Sequence, residues 1–259
     1  MFDSGLGGLT VLASVRAKAG PTDILYYADT AHVPYGDRAL EEVAGFARSI
    51  ISRLLTHDPA LITIACGTTC SAFDKLGWPE IGIPLLGLIG PGARAAVAAT
   101  PSGAIGVVAT NATIKSGVFE RAIHALRSDA VLTSVGAPAL VPIVESGRWA
   151  TDEARAAVAE CCERLTAANC DTVILGCTHF PHLAKWFQAA LGPDVRLIDP
   201  ADALGDDAAE ILSTLEPQRG EIDFDVSGDP DAFTKSASIL LGWPITGTRN
   251  VVFPREARN

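Results

Sequence analysis

The chain has no uninterrupted apolar run of the ~18 to 20 residues that a membrane span needs. Its opening, Met1-Phe-Asp-Ser-Gly, has neither a basic n-region nor an apolar h-region, so no signal peptide is read and the expected location is cytoplasmic. Basic residues are scarce: 20 Lys and Arg stand against 30 Asp and Glu, for a formal net charge of −10. With that balance and no Lys/Arg cluster, nucleic acid and anionic membrane are not expected partners. There is no P-loop, and Gly5-x-Gly-Gly8 lacks the spacing of a dinucleotide fingerprint. Around Cys66/Cys70 and Cys177/His179 there is no Cys-x2-Cys pair and no His-x3-5-His pair, so no metal site is expected.

What remains is a globular composition, 48% apolar and 19% charged over 259 residues, enough for one large or two modest domains. Six cysteines (66, 70, 161, 162, 170 and 177) give an even count. A chain this long and apolar does not need disulfide staples, and the expected compartment keeps thiols reduced. Cys161 and Cys162 fall in an Ala-rich helical pattern and read as filler.

Strand-like apolar runs alternate with helical stretches. Strands are expected over 24–28, 61–65, 84–89, 104–109, 131–135, 172–175 and 196–198. Helices are expected over 40–57, 91–99, 116–128, 151–169 and 181–191. This alternation predicts an α/β fold of parallel sheets flanked by helices. In such sheets ligands bind beyond the carboxyl ends of the strands. The polar clusters sit at those ends: Asp3-Ser4, Cys66-Gly-Thr68-Thr69, Thr110-Asn111-Ala-Thr113 and Cys177-Thr178-His179. Glu145 is read in the loop after the 131–135 strand, and loop placement favours function over packing.

Two of these ends say the same thing. Leu61-Ile-Thr-Ile-Ala-Cys66 and Thr172-Val-Ile-Leu-Gly-Cys177 are each a strand-length run, a small residue and a cysteine, 111 residues apart. Asp3 and Asn111, each at another strand-to-helix turn, are 108 apart. The spacing predicts a duplication: two pseudo-symmetric α/β domains, 1–91 plus 202–259 and 92–201, with the site in the cleft between them. A cysteine at a strand-to-helix turn lies near backbone N–H groups that stabilise a thiolate. Two opposed thiols suit a reaction that takes a proton from one face of a carbon and returns it to the other. His179 is placed to assist Cys177 as a general acid/base, and Asp3 to assist Cys66.

The chain resembles glutamate racemase, a cofactor-independent amino-acid racemase that supplies D-glutamate for peptidoglycan. The matching segments are Phe2-Asp-Ser-Gly-Leu-Gly-Gly-Leu-Thr-Val11, Asp29-Thr-Ala-His-Val-Pro-Tyr-Gly36, Ile64-Ala-Cys-Gly-Thr68, Val141-Pro-Ile-Val-Glu-Ser-Gly147, Leu175-Gly-Cys-Thr-His-Phe-Pro181 and Ser227-Gly-Asp-Pro230. The resemblance implies a homodimer, a buried glutamate site, Cys66 and Cys177 as the acid/base thiols, Asp3 and His179 tuning them, and Glu145 as a site carboxylate. It places Ser4, Pro34, Tyr35, Gly36, Thr68, Thr113 and Thr178 on the substrate's carboxylates and amine. No cofactor is implied, and none of the five lysines stands in a Schiff-base context. Related two-cysteine racemases acting on aspartate or hydantoins, a catalytically impaired binding homologue, and a metal module using Cys66, Cys177 and His179 are the alternatives.

Two departures from the family pattern matter. Gly67 stands where the family usually has an Asn that reaches the substrate amine, and Cys70 three residues on is also unusual. Loss of that contact predicts weaker glutamate binding or altered specificity. Family members also carry several residues before Phe-Asp-Ser. The expectation is either a start read too late or a clipped first strand that leaves its neighbours with unpaired edges.

Overall fold

A computed structural model of the chain describes residues 1–216 and 218–251. Two parallel sheets stand side by side. The first contains β1 (Phe2–Asp3), β2 (Ile24–Ala28), β3 (Ile62–Ile64) and β4 (Leu85–Gly87), joined through α1 (Leu9–Ala19), α2 (Leu40–Leu55) and α3 (Gly67–Leu76). After α4 (Ile89–Ala99), the second is built from β5 (Ala104–Ala109), β6 (Val131–Gly136), β7 (Thr172–Leu175) and β8 (Arg196–Ile198). Its connections are α5 (Asn111–Ser116) with α6 (Val118–Leu126), α7 (Leu140–Glu145) with α8 (Asp152–Ala167), and α9 (Ala184–Leu191). Then α10 (Pro200–Leu212) leads back to the first sheet, which gains β9 (Ile222–Val226), α11 (Pro230–Leu241) and β10 (Arg249–Asn250).

The strand orders expose the duplication. The first sheet runs β10-β9-β2-β1-β3-β4 and the second β6-β5-β7-β8. Strand for strand, β2-β1-β3-β4 repeats as β6-β5-β7-β8, every described pairing parallel. Each order reverses direction at its first strand, and that switch point is where an open α/β sheet leaves a crevice for a ligand. Asp3 and Cys66 lie at the switch point of the first sheet, Asn111 and Cys177 at that of the second. Strands covered on both faces need continuous apolar runs, which is why Thr172–Leu175 and Ile62–Ile64 are buried throughout.

Local chemistry sets several boundaries. Thr110 caps α5 by accepting from the Thr113 N–H, Thr151 caps α8 through the Ala154 N–H, and Asp199 caps α10 ahead of Pro200. The helix expected over 116–128 is α6, Val118–Leu126, and it is preceded by a short helix that was not expected, α5, which Gly117 ends by adopting the left-handed conformation (φ 66°). The stretch 181–191 opens as a 3₁₀ turn, Phe180–Leu183, before α9. Glu145 is the last residue of α7 rather than a loop residue.

The halves are unequal at one strand. β1 has two residues where its counterpart β5 has six. Below Phe2, the opposed edges of β2 and β3 are separated by a groove of ≈ 460 Å³ lined by Met1, Leu25, Leu61 and Thr63 among others. The Met1 ammonium is buried there and donates to the Leu25 carbonyl at 2.8 Å. Burial lowers its pKa to about 5. No helix among the described residues is long and apolar enough to cross a membrane.

Candidate active site

The carboxyl ends of the two switch points meet across a small cavity. It is lined by Asp3, Ser4, Tyr35, Gly36, Cys66, Gly67, Thr68, Thr110, Val141, Gly176, Cys177, Thr178 and His179. Its volume is ≈ 10 Å³, room for about one water. All six cysteines are free, and Cys66 and Cys177 are both buried.

On the second half's wall, His179 Nδ1 lies 3.6 Å from Cys177 Sγ and Nε2 lies 2.5 Å from Glu145 Oε1. The same Glu145 oxygen accepts from the Leu6 N–H at 2.8 Å, so it also ties this wall to the glycine loop of the first half. Burial disfavours the imidazolium of His179. Its contacts with Cys177 and Glu145 outweigh that and hold its pKa well above the ordinary value. Burial likewise opposes ionisation of Glu145, but the His179 contact and the Leu6 N–H bring its pKa below the usual range. Cys177, His179 and Glu145 thus form one line of proton-exchanging groups.

The first half's wall is built differently. Cys66 is the N-cap of α3, with extended backbone (φ −141°, ψ 114°). Burial pushes its thiol pKa far up, and the charge of Asp3 pushes it further. The hydroxyl and N–H of Thr69 act in the opposite direction. Asp3 is fully buried and accepts from the Gly8 N–H at 2.7 Å and the Gly5 N–H at 3.4 Å. Burial raises its pKa against the lowering effect of the His179 charge and the N–H groups of Gly8 and Ser4. At neutral pH this wall holds Cys66 as a thiol.

The glycines explain how the walls come this close. A Cβ on Gly7 would lie 2.5 Å from His179 Nδ1 and 2.6 Å from Thr178 Oγ1, so only glycine lets the loop after Asp3 seat against the second half. A Cβ on Gly67 would lie 2.6 Å from the Gly176 carbonyl oxygen. Hydroxyls bridge the remaining gap: Thr68 Oγ1 is 3.0 Å from Thr110 Oγ1, which donates to Thr113 Oγ1 at 3.0 Å. The Tyr35-Gly36 turn is pinned from behind. Tyr35 donates to Asp29 at 2.5 Å, and Asp29 also accepts from Ser227 at 2.7 Å.

Of the residues singled out in the sequence, Asp3, Ser4, Tyr35, Gly36, Cys66, Gly67, Thr68, Cys177, Thr178 and His179 line the cavity. Three do not. Glu145 stands behind His179, Thr113 behind Thr110, and Pro34 precedes the Tyr35 turn. Thr110, Val141 and Gly176 line it without having been singled out as site residues. The signal for Thr110 was its position at the end of β5, matching Ser4 and Thr178 at other strand ends. Val141 is an apolar residue in an apolar stretch and carries no such signal.

The pattern of the Asp/Glu/Hydantoin racemase family matches residues 10–208. The chain belongs to that family. A glutamate racemase from Desulforudis audaxviator is 40% identical over 253 residues, 93% of each chain. Among solved structures, glutamate racemase isoform RacE1 from Bacillus anthracis superposes with a TM-score of 0.93 at 33% identity, covering 98% of this chain and 96% of its own. A Francisella tularensis glutamate racemase, solved in complex with D-glutamate, has a TM-score of 0.86 at 26% identity, covering 96% and 95%. The Asp/Glu racemase fold, with its two parallel sheets flanked by helices, is thus shared across nearly the whole chain.

Proposed function

We propose that this chain interconverts L- and D-glutamate without a cofactor, using Cys66 and Cys177 as the two acid/base groups. The observation that carries the reading is the meeting of two duplicated strand-end thiols on one buried cavity, each with its own proton-handling neighbours. In each turnover one cysteine, as thiolate, takes the Cα proton, and the other, as thiol, delivers a proton to the opposite face. The reverse reaction exchanges their roles. Cys177 exchanges its proton with His179, which Glu145 orients and whose charged form it supports. Cys66, held protonated by burial beside Asp3, is the delivering acid in the resting protein.

The Cα proton is a very weak acid, so the developing negative charge must be met by hydrogen-bond donors in a site from which water is excluded. The backbone N–H groups opening α3 and the hydroxyls of Thr68, Thr110 and Thr178 are the donors available in this cavity. The cavity must widen to admit an amino acid. The crossing between the halves, at Gly67 against Gly176, is where it opens.

The wider reading is a two-domain enzyme, 1–91 plus 202–259 and 92–201, working as a cytoplasmic homodimer and supplying D-glutamate to peptidoglycan. The reaction is tested by incubating L- or D-glutamate with the protein in D2O. Racemisation with Cα deuterium uptake is expected, abolished in Cys66→Ser and in Cys177→Ser. Turnover surviving either substitution rejects the two-thiol scheme. Aspartate and hydantoins assayed beside glutamate fix the substrate.

A further inference from the structure

The two thiols are unequally served. Cys177 has an imidazole and a carboxylate behind it, while Cys66 faces a carboxylate that opposes its ionisation. Yet a reversible two-thiol reaction, the reading on which this inference rests, needs Cys66 as a thiolate in one direction. Something on the first wall must stabilise that form.

The first turn of α3 contains one group free to do so. Cys66 is the N-cap, which makes Thr69 the N3 residue, whose N–H normally meets the capping side chain. The neighbouring hydroxyls are already engaged: Thr68 with Thr110 at 3.0 Å, and Ser71 donating to the Gly67 carbonyl at 2.8 Å. Thr69 is fully buried, and its hydroxyl oxygen has no hydrogen-bonding partner of its own. Three residues on from the capping Cys66, in the first turn of α3, it stands where a capping side chain is met. An unspent hydroxyl at this depth is costly unless it serves a group whose need appears only in another protonation state.

We propose that Thr69 is the group that supports the Cys66 thiolate, its hydroxyl turning to donate to Sγ when the thiol ionises and to accept from S–H when it is protonated. The hydroxyl keeps its own proton throughout. The proton in transit moves only between the substrate Cα and Sγ. A hydroxyl suits this task because it is donor and acceptor at once, so it follows Cys66 through both of its states. Thr69 and the N-terminus of α3 then do for Cys66 what His179 and Glu145 do for Cys177, without adding a second titrating group beside Asp3.

The test is the thiol reactivity of Cys66, which does not depend on the protein being a racemase. Wild type, Thr69→Val and Thr69→Ser are treated with iodoacetamide at fixed alkaline pH. The rate at each cysteine is read by peptide mass spectrometry, with Cys177 as internal reference. The expected result is a roughly tenfold slower reaction at Cys66 in Thr69→Val, an unchanged rate at Cys177, and recovery in Thr69→Ser. In turnover, Thr69→Val is expected to lower kcat about tenfold with little change in KM, more strongly in the direction that uses Cys66 as base. Wild-type reactivity of Cys66 in a folded Thr69→Val overturns the proposal, as does equal slowing at both cysteines. If wild type itself fails to racemise glutamate, the functional reading fails while the reactivity result still decides the role of Thr69.

Discussion

Gly67 is the residue at which sequence and structure meet most sharply. From the sequence it is a missing polar contact, because an Asn is usual there. The structure adds a steric consequence: without a side chain, the Gly176 carbonyl closes to within 2.6 Å of where a Cβ would stand. The cavity between the two walls is ≈ 10 Å³. An amino acid entering between these walls must part them, and that work is subtracted from its apparent affinity. Both arguments point the same way. Gly67→Asn is expected to lower KM for glutamate about tenfold, the low end of a hydrogen bond to a charged group at ~1.5 to 3 kcal/mol. Gly67→Ala, which props the cleft without the contact, is expected to give part of that gain. Steady-state kinetics and calorimetric binding check both, and unchanged values for the pair reject the argument.

At the same scale, Glu145 was legible as a site carboxylate, but its task was not. It reaches His179, 34 residues on, and the Leu6 N–H of the glycine loop, 139 residues back, only because the fold closes both separations. Sequence spacing carries nothing about that closure, whereas Cys177 and His179, two residues apart, announce their partnership. Glu145→Gln removes the charge that supports the imidazolium, so the pKa of His179 falls towards its ordinary value. The protonated form is then lost at lower pH. The basic limb of the pH–rate profile is expected to move to lower pH, with kcat reduced about 100-fold, the low end of a positioned acid/base contribution. A basic limb that stays in place argues that His179 does not titrate in the working range.

At the scale of elements, strands read well because continuous apolar runs of four to six residues have few other uses in an α/β fold. Val131–Gly136 and Thr172–Leu175 match their expected spans nearly residue for residue. Helix boundaries read less well where one backbone angle decides them, as at Gly117. The short β1 is the element with the clearest physical consequence. Its counterpart β5 is four residues longer, and a groove lies where those residues would pair with β2 and β3. A chain lengthened ahead of Met1 by four strand-forming apolar residues is expected to melt a few degrees higher, since ~1 kcal/mol shifts Tm by about 2 to 4 °C at this size. The buried ammonium adds a pH signature. Its folded pKa of about 5 lies below its ordinary value of 8.0, so the unfolded chain binds the extra proton between those limits. This group therefore lowers stability as pH falls from about 8 to 5. The lengthened chain moves the ammonium out of the groove and is expected to lose that slope. Thermal melts of both chains across pH 5 to 8 check the two effects together, and identical curves reject them.

The whole molecule is an acidic body, formal charge −10, proposed to bind an anion. The general field repels such a ligand, so attraction must be local. Beside the site, a cleft of ≈ 630 Å³ shares Gly36 with the site cavity and is lined by Arg38, Lys75 and Lys115, against Asp37 and Glu41. Gly36 also marks the wall between them, since a Cβ there would meet the Thr110 side chain at 2.8 Å. Two of the three cations are partly spent, Arg38 on Glu42 at 2.7 Å and Lys75 on Glu41 at 3.7 Å. Lys115, at the end of α5, is the one whose charge is most available to an arriving carboxylate. Reversing it should act on capture rather than on chemistry. At low salt, Lys115→Glu is expected to lower kcat/KM for glutamate severalfold with kcat unchanged, as a two-unit charge change in water-like dielectric implies. Wild-type kcat/KM is expected to fall with ionic strength, and the gap between the two proteins to close as salt screens the cleft. Equal values at low salt would mean that glutamate reaches Cys66 and Cys177 by another face of the interface between the two sheets.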